Sequence, residues 1–166
     1  RTGGFKEEGF KDIEPIRAKD IHYADKFDIL VACTDLTQNA DIIGNAIMLL
    51  NIGKYEKVVI SMDLVKILPK KNKYLVFSIL NSKEFKNFAL GYKTGTTVLH
   101  LNKNCFKDFH IKVPDFDKIE NFEKVVETNY KKISYNLEEN NTLTQLRDNL
   151  LPKLMNGEID LDKIEI

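Results

Sequence analysis

Only two cysteines, Cys33 and Cys105, stand in the 166 residues. That is too few for a disulfide framework, and a reducing cytoplasm is the expected compartment. No run of eighteen apolar residues occurs, so no membrane-spanning helix is expected. No signal-peptide pattern is legible, because Arg1-Thr2-Gly3-Gly4 leads straight into polar sequence. The chain opens on arginine and not methionine, and a fragment, or a chain whose beginning is missing, is expected. Net charge is zero, with 25 basic and 25 acidic side chains. That balance argues against indiscriminate nucleic-acid binding.

Catalytic constellations are equally scarce. There are four serines and no Gly-x-Ser-x-Gly elbow. His100, Cys105 and His110 are evenly spaced, but no Cys-x-x-Cys or His-Glu-x-x-His accompanies them, and alternation in strands explains their spacing without a metal. Gly53-Lys54 lacks the upstream glycine and the following hydroxyl of a phosphate-cradling loop. Pro114-Asp115 has the form of the start of a metal-dependent nuclease site, which also needs a downstream acid-x-Lys triplet, and none follows. Glu84-Phe85-Lys86 has that form but lies upstream and reads as a solvated helix pair. An Asn/Asp-Pro-Pro-Tyr element, which would hold an amino group for methylation, is also missing. No enzyme activity, metal or cofactor is expected.

What the chain does have is an uneven charge distribution. Residues 54–112 hold twelve lysines against four acids, a net of +8, between segments of −3 (1–53) and −5 (113–166). A basic middle between acidic ends fits a surface that faces a polyanion, although lysine is also the default solvated residue of such a chain.

Hydrophobic patterning places the elements. Residues 1–25 read as irregular or edge structure, with Glu14-Pro15 as a breaker. FDILVAC (27–33) suits a buried strand, TDLTQNAD (34–41) a polar loop, and Ala46–Leu50 a second apolar run. Residues 57–68 alternate and predict one or two strands ending at Pro69. Residues 74–90 follow a helical period. Gly91 and Gly95 bracket a loop, residues 97–101 form a strand, and residues 106–113 give a helical turn or another strand. Beyond Pro114 a helix of thirty-odd residues begins, with Asp115 or Asp117 as its cap. Pro152 ends or bends it, and Asn156-Gly157 turns the chain.

That helix carries Ile119, Phe122, Val126, Ile133, Leu137, Leu143, Leu146 and Leu150 at steps that predict one apolar stripe. A rod of about 50 Å outruns a domain of this size, so the stripe wants a partner helix. The partner-binding candidates are Ile133, Leu137, Leu143, Leu146 and Leu150. Asn129, Asn136, Asn140 and Asn141 lie near the stripe, where polar groups can fix register. The alternative is a helix that packs on its own domain.

Three polar sets are candidates for nucleic-acid contact. Lys70, Lys71 and Lys73 offer flexible cations beside a strand end, suited to phosphates. Lys93, Thr94, Thr96 and Thr97 join a cation and hydroxyls to glycine-permitted close approach. Thr34, Gln38 and Asn39 add side chains of which the two amides can bond adenine in a major groove.

FDILVACTDLTQNADIIGNA, GTTVLHLNKNCFKDFHIKVP and LTQLRDNLLPKLMNGEI together resemble the specificity subunits of type I restriction–modification systems. The resemblance spans nearly the whole chain. It implies an α+β fold, a strand-rich target recognition domain followed by one long coiled-coil-forming helix. Such subunits hold two recognition domains, each followed by a long helix. The helices pair antiparallel as a spacer, and each domain reads half of a bipartite double-stranded DNA site. They have no catalytic residues. They bind modification subunits, which methylate adenine, and through them the restriction subunit. On that resemblance residues 1–115 are a recognition domain short at its front, and 116–166 are the helix and a C-terminal turn. With one domain and one helix, the chain is expected to be a C-terminal fragment or a half-subunit that must dimerise. The second helix then comes from the same full-length chain or from a homodimer. The alternatives are a coiled-coil protein-interaction module without DNA binding and a small metal-dependent nuclease.

Overall fold

The computed structural model describes residues 10–159 except Pro15, Gln38 and Pro114. After a 3-10 turn at Asp20–His22, the described residues form eight short strands, three short α-helices and one long α-helix, in the order β1 (Tyr23–Ala24), β2 (Ile29–Ala32), β3 (Thr34–Asp35), β4 (Ala46–Met48), β5 (Val58–Val59), β6 (Leu64–Ile67), α1 (Lys73–Leu80), α2 (Lys83–Leu90), β7 (Lys93–Thr94), β8 (Leu99–Leu101), α3 (Cys105–Asp108) and α4 (Phe116–Met155). The fold is α+β, small antiparallel sheets followed by a long helix.

β2 reads as an unbroken apolar run because both its faces are covered. It pairs antiparallel with β4 on one side and β6 on the other, setting Ile29 against Met48 and Ile67. Ile29 and Val31 enter the main core with Phe85, Ile43, Leu99 and Leu101. Leu30 points the other way into a smaller cluster with Leu49, Ala24 and Val58, under the β1–β5 pair. At Cys33 the chain passes from one sheet to the next. The Cys33 amide donates to the Asp63 carbonyl, and its carbonyl accepts from the Leu101 amide. β3 then joins a second three-stranded sheet in the order β3–β8–β7. Both thiols are buried, and burial pushes Cys105 up to about 11, so it stays protonated near neutral pH.

The helical period over 74–90 belongs to two helices, not one. Ser82 stops the run because its hydroxyl accepts the Phe85 amide at 3.1 Å, the N-cap of a new helix. α1 begins from Asn72 in the left-handed region (φ 52°) with no capping bond from that side chain. Its cap comes from α4. The Glu123 carboxylate accepts the Tyr74 amide at 3.2 Å and the Leu75 amide at 2.6 Å.

That contact docks α4. Ile119, Glu123, Val126, Tyr130 and Ser134 follow one another at three- and four-residue steps along the docked face. Tyr130 stacks on Tyr74 at 5.9 Å and meets Phe77 edge-on at 5.5 Å. The Ser134 hydroxyl donates to the Leu50 carbonyl at 2.5 Å, and Lys26 pairs with Glu138 at 2.6 Å. The expected single stripe therefore divides. Ile119 is buried and Val126 and Leu137 are half-buried, while Phe122 and Ile133 are exposed. The steps of the apolar pattern drift against the helical period, so Leu150 is turned by roughly 140° from Ile119 around the axis. From Thr142 to Glu158 every residue is exposed. At 40 residues the rod is about 60 Å long.

Pro152 does not end the helix. It sits in the last turn, and the stop is made by Gly157 at φ 73°. The Glu158 amide bonds the Lys153 carbonyl at 2.9 Å and the Gly157 amide bonds the Leu154 carbonyl at 3.2 Å, the paired closure of a Schellman cap.

Replacing Glu123 by Ala leaves the first amides of α1 without their acceptor and should cost about 1–3 kcal/mol in a urea melt. Glu120→Ala, which removes only an exposed pair with Lys124, should stay within about 0.5 kcal/mol. Equal losses would show that the Glu123 contact stabilises nothing.

Candidate functional site

The second sheet gathers part of what the sequence singled out. Antiparallel register sets Thr34 opposite His100 and Thr94 opposite His100, so the three share one face. Leu99 and Leu101 on either side of His100 are buried, which sends the imidazole outward. The Thr34 hydroxyl lies 3.4 Å from His100 Nδ1, and the Thr94 hydroxyl donates to the His100 carbonyl at 3.3 Å. Lys93 pairs with Leu101, so it leaves the sheet from the opposite face and is exposed at the edge. Thr96 and Thr97 are exposed in the turn between β7 and β8. That turn depends on Gly95 at φ 96°, where a Cβ would stand 2.2 Å from the Val98 carbonyl oxygen.

The segment after Thr34 is not wholly a loop. Its first two residues pair as β3, and the rest is held by a carboxylate and an ammonium. Asp35 is 2% exposed and accepts the Thr37 amide at 2.7 Å and the Ile42 amide at 2.6 Å. Lys86 reaches across from α2 and donates to the carbonyls of Asp41 (3.1 Å) and Ile43 (2.6 Å) and to Asn45 Oδ1 (2.5 Å). Lys86 is therefore an internal tether and not half of a solvated pair. Burial lowers its affinity for a proton, opposed by the charges of Asp35 and Asp41. Burial also works to raise the Asp35 carboxyl, but the amide bonds from Ile42 and Thr37 outweigh it and hold the group below its usual range. Asn39 is exposed at the tip of this pinned turn, and Gln38 lies outside the described residues.

The lysine turn is positioned by another part of the fold. Lys70 and Lys71 are exposed, whereas Lys73 is half-buried at the start of α1, beside the amides that Glu123 caps. On α4, Leu137 is half-buried, while Ile133, Leu143, Leu146 and Leu150 are exposed. Leu154, at 38% exposed, extends the stripe by one more turn.

Sequence reasoning gives Asp35, Lys86 and His100 no place at this surface. Asp35-x-Thr37 carries the signature of a side chain that bonds the amide two residues on, so the first is findable. His100 sits visibly between two leucines. No local signal marks the tethering role of Lys86, whose partners are more than forty residues away.

The sign of the pH effect follows from the depressed Asp35 carboxyl. The stabilisation is fully present above the ordinary Asp value of about 3.9 and is lost as pH falls through the lower folded value. Asp35→Asn should cost about 1–3 kcal/mol at pH 7, since an amide cannot accept two N–H groups as a carboxylate does. Urea melts at descending pH should show the gap between wild type and variant narrowing below the Asp range. A gap constant with pH would mean that the carboxylate charge plays no part.

Among known proteins, no family model matches the chain. The type I restriction enzyme HindI specificity subunit of Haemophilus influenzae is 41% identical to it over 78 residues. Those residues are 47% of this chain and 16% of that protein, so the match spans a small part of the relative. The two are distant homologues.

Proposed function

We propose that this chain is a DNA-recognition part of a type I restriction–modification complex. Residues 1–115 act as one target recognition domain that reads half of a bipartite double-stranded site. Residues 116–166 supply a spacer helix. The homology to a specificity subunit carries this reading. Two features of the molecule support it. The net charge of +8 over residues 54–112 suits a phosphate backbone. The last four turns of α4 stand clear of the domain with Leu143, Leu146, Leu150 and Leu154 exposed, as a helix awaiting a partner helix would.

In this function the protein performs no chemistry of its own. Lys70, Lys71, Lys73 and Lys93 hold phosphates. Thr34, Asn39, Thr94, Thr96 and Thr97 form the surface from which bases and sugar-phosphate edges are contacted, on a scaffold pinned by Asp35 and Lys86, and Gln38 is a further base-reading candidate by residue type. Ile133, Leu137, Leu143, Leu146 and Leu150 serve assembly with a second spacer helix, from the same full-length chain or a second copy. Methylating modification subunits, and through them the restriction subunit, assemble on the same framework in the cytoplasm.

Two measurements test it. Binding to duplex DNA should weaken steeply with salt. Lys70→Ala, Lys71→Ala and Lys73→Ala together should flatten the log–log slope by about 0.9 for each phosphate that is no longer neutralised, for every sequence alike. An unchanged slope places the turn away from DNA. Leu146→Glu with Leu150→Glu should leave the domain's melting temperature unchanged, because both side chains are exposed beyond the docked segment. The same pair should abolish helix pairing or modification-subunit assembly in sedimentation, since a buried unpaired charge costs several kcal/mol, roughly the surplus that holds an interface. An intact complex would sink the helix assignment.

A further inference from the structure

His100 is an exposed side chain on the central strand of the β3–β8–β7 sheet. Its strand is the central one, bonded on both edges, so its backbone cannot shift without breaking pairs to both neighbours. Leu99 and Leu101, at 6% and 5% exposed, anchor the strand from below and fix the direction in which His100 leaves it. Thr34 and Thr94 flank it on the same face. The Thr34 hydroxyl engages Nδ1, which leaves Nε2 as the ring nitrogen open to a ligand, and in the tautomer in which Thr34 donates, Nε2 carries the proton. An outward imidazole held between two threonines on a paired strand is a preorganised hydrogen-bonding group.

We propose that His100 is a specificity-determining residue, donating from Nε2 to the N7 acceptor of a purine in the major groove; this rests on the DNA-binding reading above. Purines alone present N7 on that edge. The contact would belong to sequence readout and not to phosphate anchoring.

The test begins with selection of preferred duplexes by the full chain from a pool with a randomised core. Each purine of the selected duplex is then replaced by its 7-deaza analogue, which lacks the N7 acceptor. Wild type should lose about 2- to 10-fold in affinity at one position, the worth of a net hydrogen bond. His100→Ala should bind the natural and deaza duplexes equally at that position and keep the wild-type salt slope. His110→Ala, whose ring is already engaged with the Asp108 carbonyl at 2.8 Å, serves as the control and should discriminate as wild type does. If His100→Ala retains the deaza sensitivity, or if wild type shows none, the inference is overturned. A slope that falls by about one with discrimination unchanged makes His100 a phosphate contact and overturns it as well. Wild type that selects a sequence keeps the DNA reading standing in all these cases. Selection of no sequence at all by wild type removes that reading and this one together.

Discussion

The Glu123 carboxylate satisfies two amides at the start of α1, and much of the remaining architecture follows from that contact. The first turn of any helix leaves amides without partners, and Asn72, in the left-handed region, supplies no side-chain acceptor. The acceptor therefore comes from a residue nearly fifty positions later. Negative charge at a helix N-terminus is also favoured by the aligned peptide dipoles. Because Glu123 sits one turn after Ile119 and one turn before Val126, satisfying α1 also fixes which face of the long helix meets the domain. Tyr130 then falls between Tyr74 and Phe77, and Ser134 reaches the Leu50 carbonyl. Polar contacts thus set the angle at which the rod leaves, and apolar packing secures it.

The same contacts explain what is legible in the sequence. β2 is readable because an all-apolar run with turn signals on either side has few alternatives. The long helix is readable because apolar residues recur at mostly three- and four-residue steps from Ile119 to Leu150. The α1–α2 break is hidden because the period of the apolar residues continues across it, and a serine cap carries less weight in a pattern than four hydrophobic residues. The stripe on α4 reads as one face because three- and four-residue steps look alike whether they hold a face or drift around the axis. Glu123, Ser134 and Glu138, polar residues invisible to a hydrophobic pattern, mark the docked side together with Ile119, Val126 and Tyr130.

At the candidate surface, residue types are readable and their arrangement is not. Thr34 and Thr94 stand in different segments, and only strand register puts them in one row with His100. Lys93, adjacent to Thr94 in sequence, leaves the sheet on the opposite face for the same reason of alternation. The turn after β3 looks like an ordinary polar connection. Its stiffness comes from Asp35 below and Lys86 from another helix, long-range bonds that no window of local sequence contains.

β3 and β7 are two residues long, too short to persist as a free sheet. They persist because the Cys33 peptide bonds Asp63 on one side and Leu101 on the other, fastening the outer sheet to the buried β2 strand through one shared residue. Ile29, Val31, Leu99 and Leu101 belong to the core cluster, while Thr94, Thr96 and Asn39 are exposed outside it. Exchanges at such solvent-facing positions typically change stability by no more than about 0.5 kcal/mol. A lineage could therefore rewrite this surface repeatedly without passing through an unfolded ancestor, keeping the frame while its preferences diverge.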